Sequence, residues 1–464
     1  MTLMKYNSLI FRACFFILIT ITLILMQFNL TFASAMTWLL FVTSISLFHL
    51  RTCCRTLKIP FFILPYFWMI FSLMFISVFS SMFVANYNIS LPYMFERYAW
   101  QNYFPDAIIL SSLAFASLSF GTSLSNTHSR NRICHSYTIS RYRALSMLFF
   151  AIFLYAYWAS TQGGLSHVLT TRTGLQLNGV QRNIGYLVDS PIIAVSIFVC
   201  FYIYSEIRHF KLLFRISLLG CITILLIPYV LAGSRSIFIY VYLVCFIAKN
   251  IIRYIEKGNI PKLKIRNIVI ILLVLPAIMV APRIYRTENS VNLESIKNAY
   301  SIKEISQTVI GGDALMIPTL SILIPEIGNK VGTLHGSSYL NLVTKPIPRI
   351  LWKNKPIEFD MYLNNALFPE TSRFYGVSFS AISEPLTNFG VFGVAVFFAL
   401  IGYLYDFLVL RRFELNLRSI IIASWLTGFC FILIRGNLTT DYHRVVFPLC
   451  IALFVTKREG VKLV

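Results

Sequence analysis

Arg235, in Ala232-Gly-Ser-Arg-Ser236, is a lone charge set between two long apolar runs. A guanidinium there is costly unless it meets an anion, water or lipid headgroups. Other ionisable residues stand where apolar runs begin or end: Arg283 and Arg286, Glu384, Arg435, and the group Asp441, His443 and Arg444. Several arginines with a carboxylate and a histidine nearby suit a doubly or triply charged anion. The planar guanidinium binds phosphate oxygens bidentately and keeps its proton. A lipid-linked diphosphate has that charge and belongs at a membrane surface.

Each residue also has a plainer reading. Arg235 can snorkel to headgroups, Arg283 and Arg286 can complement the end of a helix dipole, and Asp441 with Arg444, at i and i+3, can be a structural ion pair. His443 reads as a hydrogen-bonded surface histidine. Glu384, in Ser383-Glu-Pro-Leu-Thr-Asn388 just before a strongly apolar run, can cap that helix, where a negative charge is favoured. It can equally serve as a general base held near the membrane interface. The residues alone leave both roles open.

The elements that must position these groups are membrane helices. The 464 residues are 57% hydrophobic and only 12% charged, and charge-free stretches of about 16 to 20 residues recur, which excludes an ordinary soluble domain. The fold class is all-α: a polytopic membrane protein. Twelve spans are expected, near residues 13–30, 32–50, 60–84, 107–124, 144–159, 191–205, 216–234, 236–252, 267–282, 387–410, 419–434 and 438–456. Interior spans read as nearly free of charge. The net charge of +22 does not mark nucleic-acid binding, because the basic residues form short clusters between apolar runs and not one stripe. The nine cysteines form neither a disulfide framework nor a zinc pattern, and no metal site is expected. The apolar run after Arg12 imitates a signal peptide, but a second run follows at once and favours an uncleaved span.

Alternate loops differ in charge. One set, with Arg51/Arg55/Lys58, Arg130 to Arg143, Arg208/Lys211/Arg215, Lys249 to Arg266, Arg411/Arg412/Arg418 and Lys457/Arg458/Lys462, holds with the N-terminus about 24 of the 40 basic residues and is assigned to the cytoplasm. Both termini are then cytoplasmic. The other set carries about 13 of the 18 acidic residues. The chain divides into a bundle of nine spans (residues 1–282), a large outer loop (283–386) and three further spans with a cytoplasmic tail (387–464). Within the loop, Ser295 to Ile327 reads as helix, and residues 328–383 as short helices and turns over the membrane face. The ionisable group described above falls on the outer face.

The loop contains His335-Gly-Ser-Ser-Tyr339, then Lys345-Pro-Ile-Pro-Arg349-Ile-Leu-Trp352 and Lys355-Pro356; Glu384-Pro-Leu-Thr-Asn388-Phe-Gly390-Val-Phe-Gly393 leads into the next span. With Gly233-Ser-Arg235-Ser236 these pieces resemble the Wzy-type oligosaccharide repeat-unit polymerases of O-antigen, capsule and exopolysaccharide, mainly over residues 230–400. The resemblance implies a GT-C-like membrane glycosyltransferase of the bacterial inner membrane, active on the periplasmic face without a nucleotide sugar, a metal or another cofactor. It would move a growing glycan from undecaprenyl diphosphate to the next carrier-linked repeat unit. Membrane lipid and a chain-length regulator are further candidate partners. Arg235 and Glu384 match the family motifs best and take the catalytic roles. Arg283, Arg286, Arg435, Arg444, His443, Tyr339 and Arg349 are candidates for holding the diphosphate or the glycan. Two rivals remain, an O-antigen ligase with a lipid A-core acceptor and a flippase for the same carrier, which should place polar groups at mid-membrane depth.

Overall fold

A computed structural model of the chain describes residues 2–57, 59–87, 95, 97–124, 134–161, 190–231, 235–257, 315–345, 347, 352, 354–369, 377, 379–410 and 416–462. The elements are α1 (Thr2–Leu25), α2 (Phe32–Leu57), α3 (Pro65–Met74), which runs through a π turn into α4 (Ser80–Tyr87), α5 (Phe104–Leu124), β1 (Cys134–Ile139), α6 (Arg141–Thr161), α7 (Ser190–Ile207), α8 (Leu212–Leu231) and α9 (Arg235–Lys257). Then follow α10 (Met316–Glu326), α11 (Asn341–Thr344), α12 (Phe359–Leu367), α13 (Ser383–Leu410), α14 (Leu417–Arg435), α15 (Leu438–Asp441), α16 (His443–Val455) and β2 (Thr456–Lys462). Among the described residues seven helices are long and apolar enough to cross a membrane, and shorter apolar helices accompany them. Every expected span falls on one or two of the helices named above, α6 not being among those seven or the shorter apolar ones, except 267–282, which lies outside the described residues.

The bundle is organised around α5, whose apolar window is 89% buried inside the protein. Lipid gives apolar side chains no reason to pair, so close backbone approach has to hold such helices together. A Cβ added at Gly121 of α5 would stand 1.9 Å from the Ala399 carbonyl oxygen of α13, and one at Gly402 of α13 would stand 2.4 Å from the Leu118 carbonyl oxygen of α5. Two glycines facing each other's backbone thus set the α5–α13 separation. Hydroxyls supply the remaining glue. Tyr66 donates to Ser119 Oγ at 2.7 Å, and Ser119 Oγ lies 2.9 Å from Ser46 Oγ, which ties α3, α5 and α2.

The basic end of the bundle closes with a feature the apolar pattern did not announce, the antiparallel pair β1–β2. Arg418 pins it, with Nε donating to Thr456 Oγ1 at 2.7 Å and Nη2 to the carbonyls of Leu453 and Thr456 at 2.9 and 2.8 Å. Its guanidinium also lies over the Tyr137 ring, 4.3 Å from the centroid. Arg12 Nε donates to the Ser123 carbonyl at the same end.

One expectation needs correction. The spans are not free of ionisable groups: Asp406 of α13, Glu206 of α7 and His49 of α2 are all buried. A single acid in a long apolar run hardly lowers its hydropathy, so Asp406 was hidden by its neighbours. Asp406 is four residues from the end of α13, about 6 Å along the axis, and Glu206 is beside the end of α7, where it pairs with Arg215 at 2.7 Å and Lys249 at 3.9 Å. Neither marks a path at mid-depth. Helix α10 falls within the expected 295–327 helix and is packed into the protein. Met316 to Leu323 are buried, because the helix packs against the start of α5 and the turn Trp100–Tyr103. The remainder of the expected 295–327 helix, Ser295 to Ala314, lies outside the described residues.

Because the α5–α13 contact leaves no space for a methyl group, Gly121→Ala should cost about 1–3 kcal/mol or more, seen as a lower unfolding temperature in detergent and less inserted protein. Gly220→Ala, where an added Cβ meets nothing within 4 Å, should leave both unchanged.

Candidate functional site

At the end of the bundle opposite the sheet, α13 begins with a short lead-in. Its helical course is broken at Gly390, whose φ of 66° lies in the left-handed region open to glycine. Residues 379–388, ahead of this break, are all buried. Glu384 in the first turn is 0% exposed, and a carboxylate there complements the helix dipole. A buried charge must also be met by donors. Thr439 supplies two, its backbone amide at 3.3 Å from Oε2 and its hydroxyl on Oε1. Ser338 Oγ donates to Oε1 at 3.0 Å.

Asn388, one turn further along α13, joins the two loop motifs. Its Nδ2 donates to Ser338 Oγ at 2.8 Å and to the Glu384 carbonyl at 2.7 Å, while its Oδ1 accepts from the Gly336 amide at 2.9 Å. The chain reaches that position through a left-handed turn, with φ of 46° at His335 and 88° at Gly336. Tyr339, at the end of the same motif, stacks on Phe389 with ring centroids 6.2 Å apart and 10° between planes. Burial and the nearby Glu384 carboxylate hold the Tyr339 phenol proton more tightly than usual.

A second carboxyl stands on the other side of the Thr439 turn. Asp360 of α12 accepts from Asn437 Nδ2 through Oδ1. Desolvation first, and then the negative charges of Asp441, Glu384 and Glu358, push the Asp360 carboxyl well above the usual carboxylate range, against the opposing pull of Lys345. Asp441 pairs with Arg444 Nη1 at 2.9 Å. It reaches so close to the chain that a Cβ on Gly436 would meet its Oδ2 at 1.9 Å. Lys345, buried, donates to the Thr440 carbonyl and lies 3.4 Å from Glu358. Lys355 donates to the carbonyls of Lys345 and Ile347 at 2.8 and 2.9 Å. Lys355 thus holds the loop together from within, and Lys345 ties it to α15.

The structure brings Glu384, Tyr339, Asp441 and Arg444 together at one end. Arg435 is the last residue of α14, at that same end. His443 is buried, not on the surface, with its ring edge-on to Tyr442 and Phe447. Arg235 opens α9; five residues on, Tyr240 donates to the Arg444 carbonyl at 3.3 Å, so the helix start is at the end that carries Arg444. The Arg235 side chain, Arg283, Arg286, Arg349 and Asp313 lie outside what the structure describes. Asp360, Asn437 and Thr439 were missed from sequence. Asp360 was one of nine acids in the outer loop and nothing in its neighbours set it apart, whereas neutral donors carry no signature in sequence. Among the described residues no group of three or more His, Cys, Asp or Glu could hold a metal ion.

Replacing Asn388 by Leu removes both ends of the clamp between the loop motifs and should cost about 1–3 kcal/mol, measured as a fall in unfolding temperature with the spans still inserted. No match is found among curated proteins or among solved structures. The family model for O-antigen polysaccharide polymerase Wzy matches residues 9–458, nearly the whole chain. Motifs that sequence separates by some fifty residues, and that the structure joins through Asn388, lie within a chain that belongs to the O-antigen polysaccharide polymerase Wzy family.

Proposed function

We propose that this polymerase transfers a growing glycan from undecaprenyl diphosphate to the next carrier-linked repeat unit. The work is done on the periplasmic face of a bacterial inner membrane, with both chain termini in the cytoplasm. The sidedness rests on the excess of basic residues in alternate loops. It agrees with the grouping of β1, β2 and Arg12 of α1 at one end and of Glu384, Arg435 and Arg444 at the other.

The observation that carries the reading is Glu384, a carboxylate enclosed at the head of α13 and met by hydroxyl and amide donors. It stands at the end where Arg444 and the start of α9 also lie. In the reaction a sugar hydroxyl of the acceptor attacks the anomeric carbon of the donor glycan. Its proton passes to Glu384, the bond from the anomeric carbon to the diphosphate oxygen breaks, and undecaprenyl diphosphate leaves with the electron pair. Arg235, Arg435 and Arg444, with Arg283, Arg286 and Arg349 of the outer loop, would stabilise that charge. The acceptor hydroxyl would take the place of Ser338 or Thr439 on the carboxylate. Tyr339, stacked on Phe389 beside Glu384, offers a flat apolar surface for a sugar ring. His443, enclosed at the start of α16, would support the arginine side of the site.

A surface-glycan ladder resolving single repeat units tests this. Cells lacking the chain should keep one repeat unit on the lipid acceptor and lose every longer band, and a plasmid copy should restore them. Loss of the single unit as well, with carrier-linked intermediates accumulating, would point to ligation or export. Arg235→Ala should abolish elongation with the protein still inserted and abundant. Glu384→Gln should cost about two to four orders of magnitude in rate; a mild effect would leave Glu384 as a helix cap.

A further inference from the structure

We propose that Asp360 is a positioning residue for polymerisation: by holding Asn437 it fixes the turn from which Thr439 presents its amide and hydroxyl to Glu384. The inference rests on the reading of Glu384 as the base. Asn437 precedes α15, is 0% exposed, and donates through Nδ2 to Asp360 Oδ1 and, at 3.4 Å, to the Phe379 carbonyl. Its Oδ1 is buried with no hydrogen-bond partner among the described residues, so the donors on Nδ2 alone orient the side chain. Two residues later Thr439 makes both of its bonds to Glu384.

Asp360 itself stands on a fixed base. Asn364, one turn along α12, donates to the Asp360 carbonyl at 2.8 Å and to the Val377 carbonyl at 3.0 Å, and accepts from the Val377 amide at 2.9 Å. Helix α12 is thereby tied to the segment that enters α13, and Glu384 is gripped from both sides by one frame.

The surroundings of Asp360 favour its neutral form. The charged groups that face it are Glu384 from α13, Asp441 from α15, Glu358 from the approach to α12, and Lys345 at the end of α11; Arg444 of α16 is engaged with Asp441. Three carboxylates against one ammonium disfavour a further negative charge. A carboxyl whose proton affinity is raised by folding lends stability at low pH and loses it as pH rises through the raised value. Ionised Asp360 would repel Glu384 and Asp441 and loosen the turn. Asparagine reproduces the acceptor of a neutral Asp360 and cannot ionise.

The test measures turnover and KM against pH for the full-length protein in lipid nanodiscs, with carrier-linked repeat units extracted from cells lacking this chain. Wild type, Asp360→Asn, Asp360→Ala and Glu384→Gln are compared. Asp360→Asn should keep wild-type turnover at neutral pH within about threefold and move the alkaline fall in activity to higher pH. Asp360→Ala should lower kcat by about ten- to a hundredfold with KM nearly unchanged, as expected for a base displaced by a fraction of an ångström to an ångström. Wild-type kcat in Asp360→Ala would overturn the proposal. So would an alkaline limb that stays in place in Asp360→Asn, a result that remains informative if the alanine variant fails to fold. Undiminished turnover in Glu384→Gln would overturn the base reading and this inference together. A wild-type protein that makes no polymer would overturn the proposed activity itself.

Discussion

A carboxylate with no exposure, set at the head of an apolar helix, has to find its hydrogen-bond donors inside the protein. That requirement on Glu384 organises the whole outer end of the molecule. Its donors come from two segments remote in sequence, Ser338 and Thr439. Asn388 then locks the first segment, and Asn437 with Asp360 steadies the second. The same bonds that satisfy the charge therefore place the loop and the last helix around it.

The charge arrangement has a graded logic. Arg444 answers Asp441, Lys345 answers Glu358, and hydroxyls and amides answer Glu384. Asp360 is left with an amide and negative neighbours, which with burial raise its proton affinity. Two acids within one site thus stand in different environments, a pattern by which proteins separate the roles of like groups. Lys345 and Lys355 spend their donors on backbone carbonyls, of Thr440 in α15 and of Lys345 in the loop, which separates them from the arginines expected to meet an outside anion.

The spans were legible because a membrane crossing needs an apolar run of fixed length, and that length is written directly in residues 32–50, 107–124 or 387–410. Glu384 was legible as a charge abutting such a run, and the ion pair Asp441–Arg444 as an i, i+3 spacing. The partners of Glu384 were not, since Ser338, Asn388 and Thr439 are ordinary residues whose importance arises only when the chain folds back on itself. Helix α10 was legible as a helix too short to span, but its burial was not, since contact with α5 decides that. Asp406 was overlooked for the opposite reason, an apolar context strong enough to mask one carboxyl.

The strand pair at the basic end sets an order on how the molecule is completed. β1 follows α5, in the first third of the chain, yet its partner is the segment after α16, and Cys134 lies opposite Lys462. During synthesis β1 is made long before anything exists for it to pair with, and its backbone groups wait on water while the later helices are inserted. Closing so long a loop brings no local reward until its last residues arrive. The join is then sealed by Arg418, which reaches both the end of α16 and the ring of Tyr137. The segment after α16 is therefore a clasp that can close on β1 only once α16 has been made.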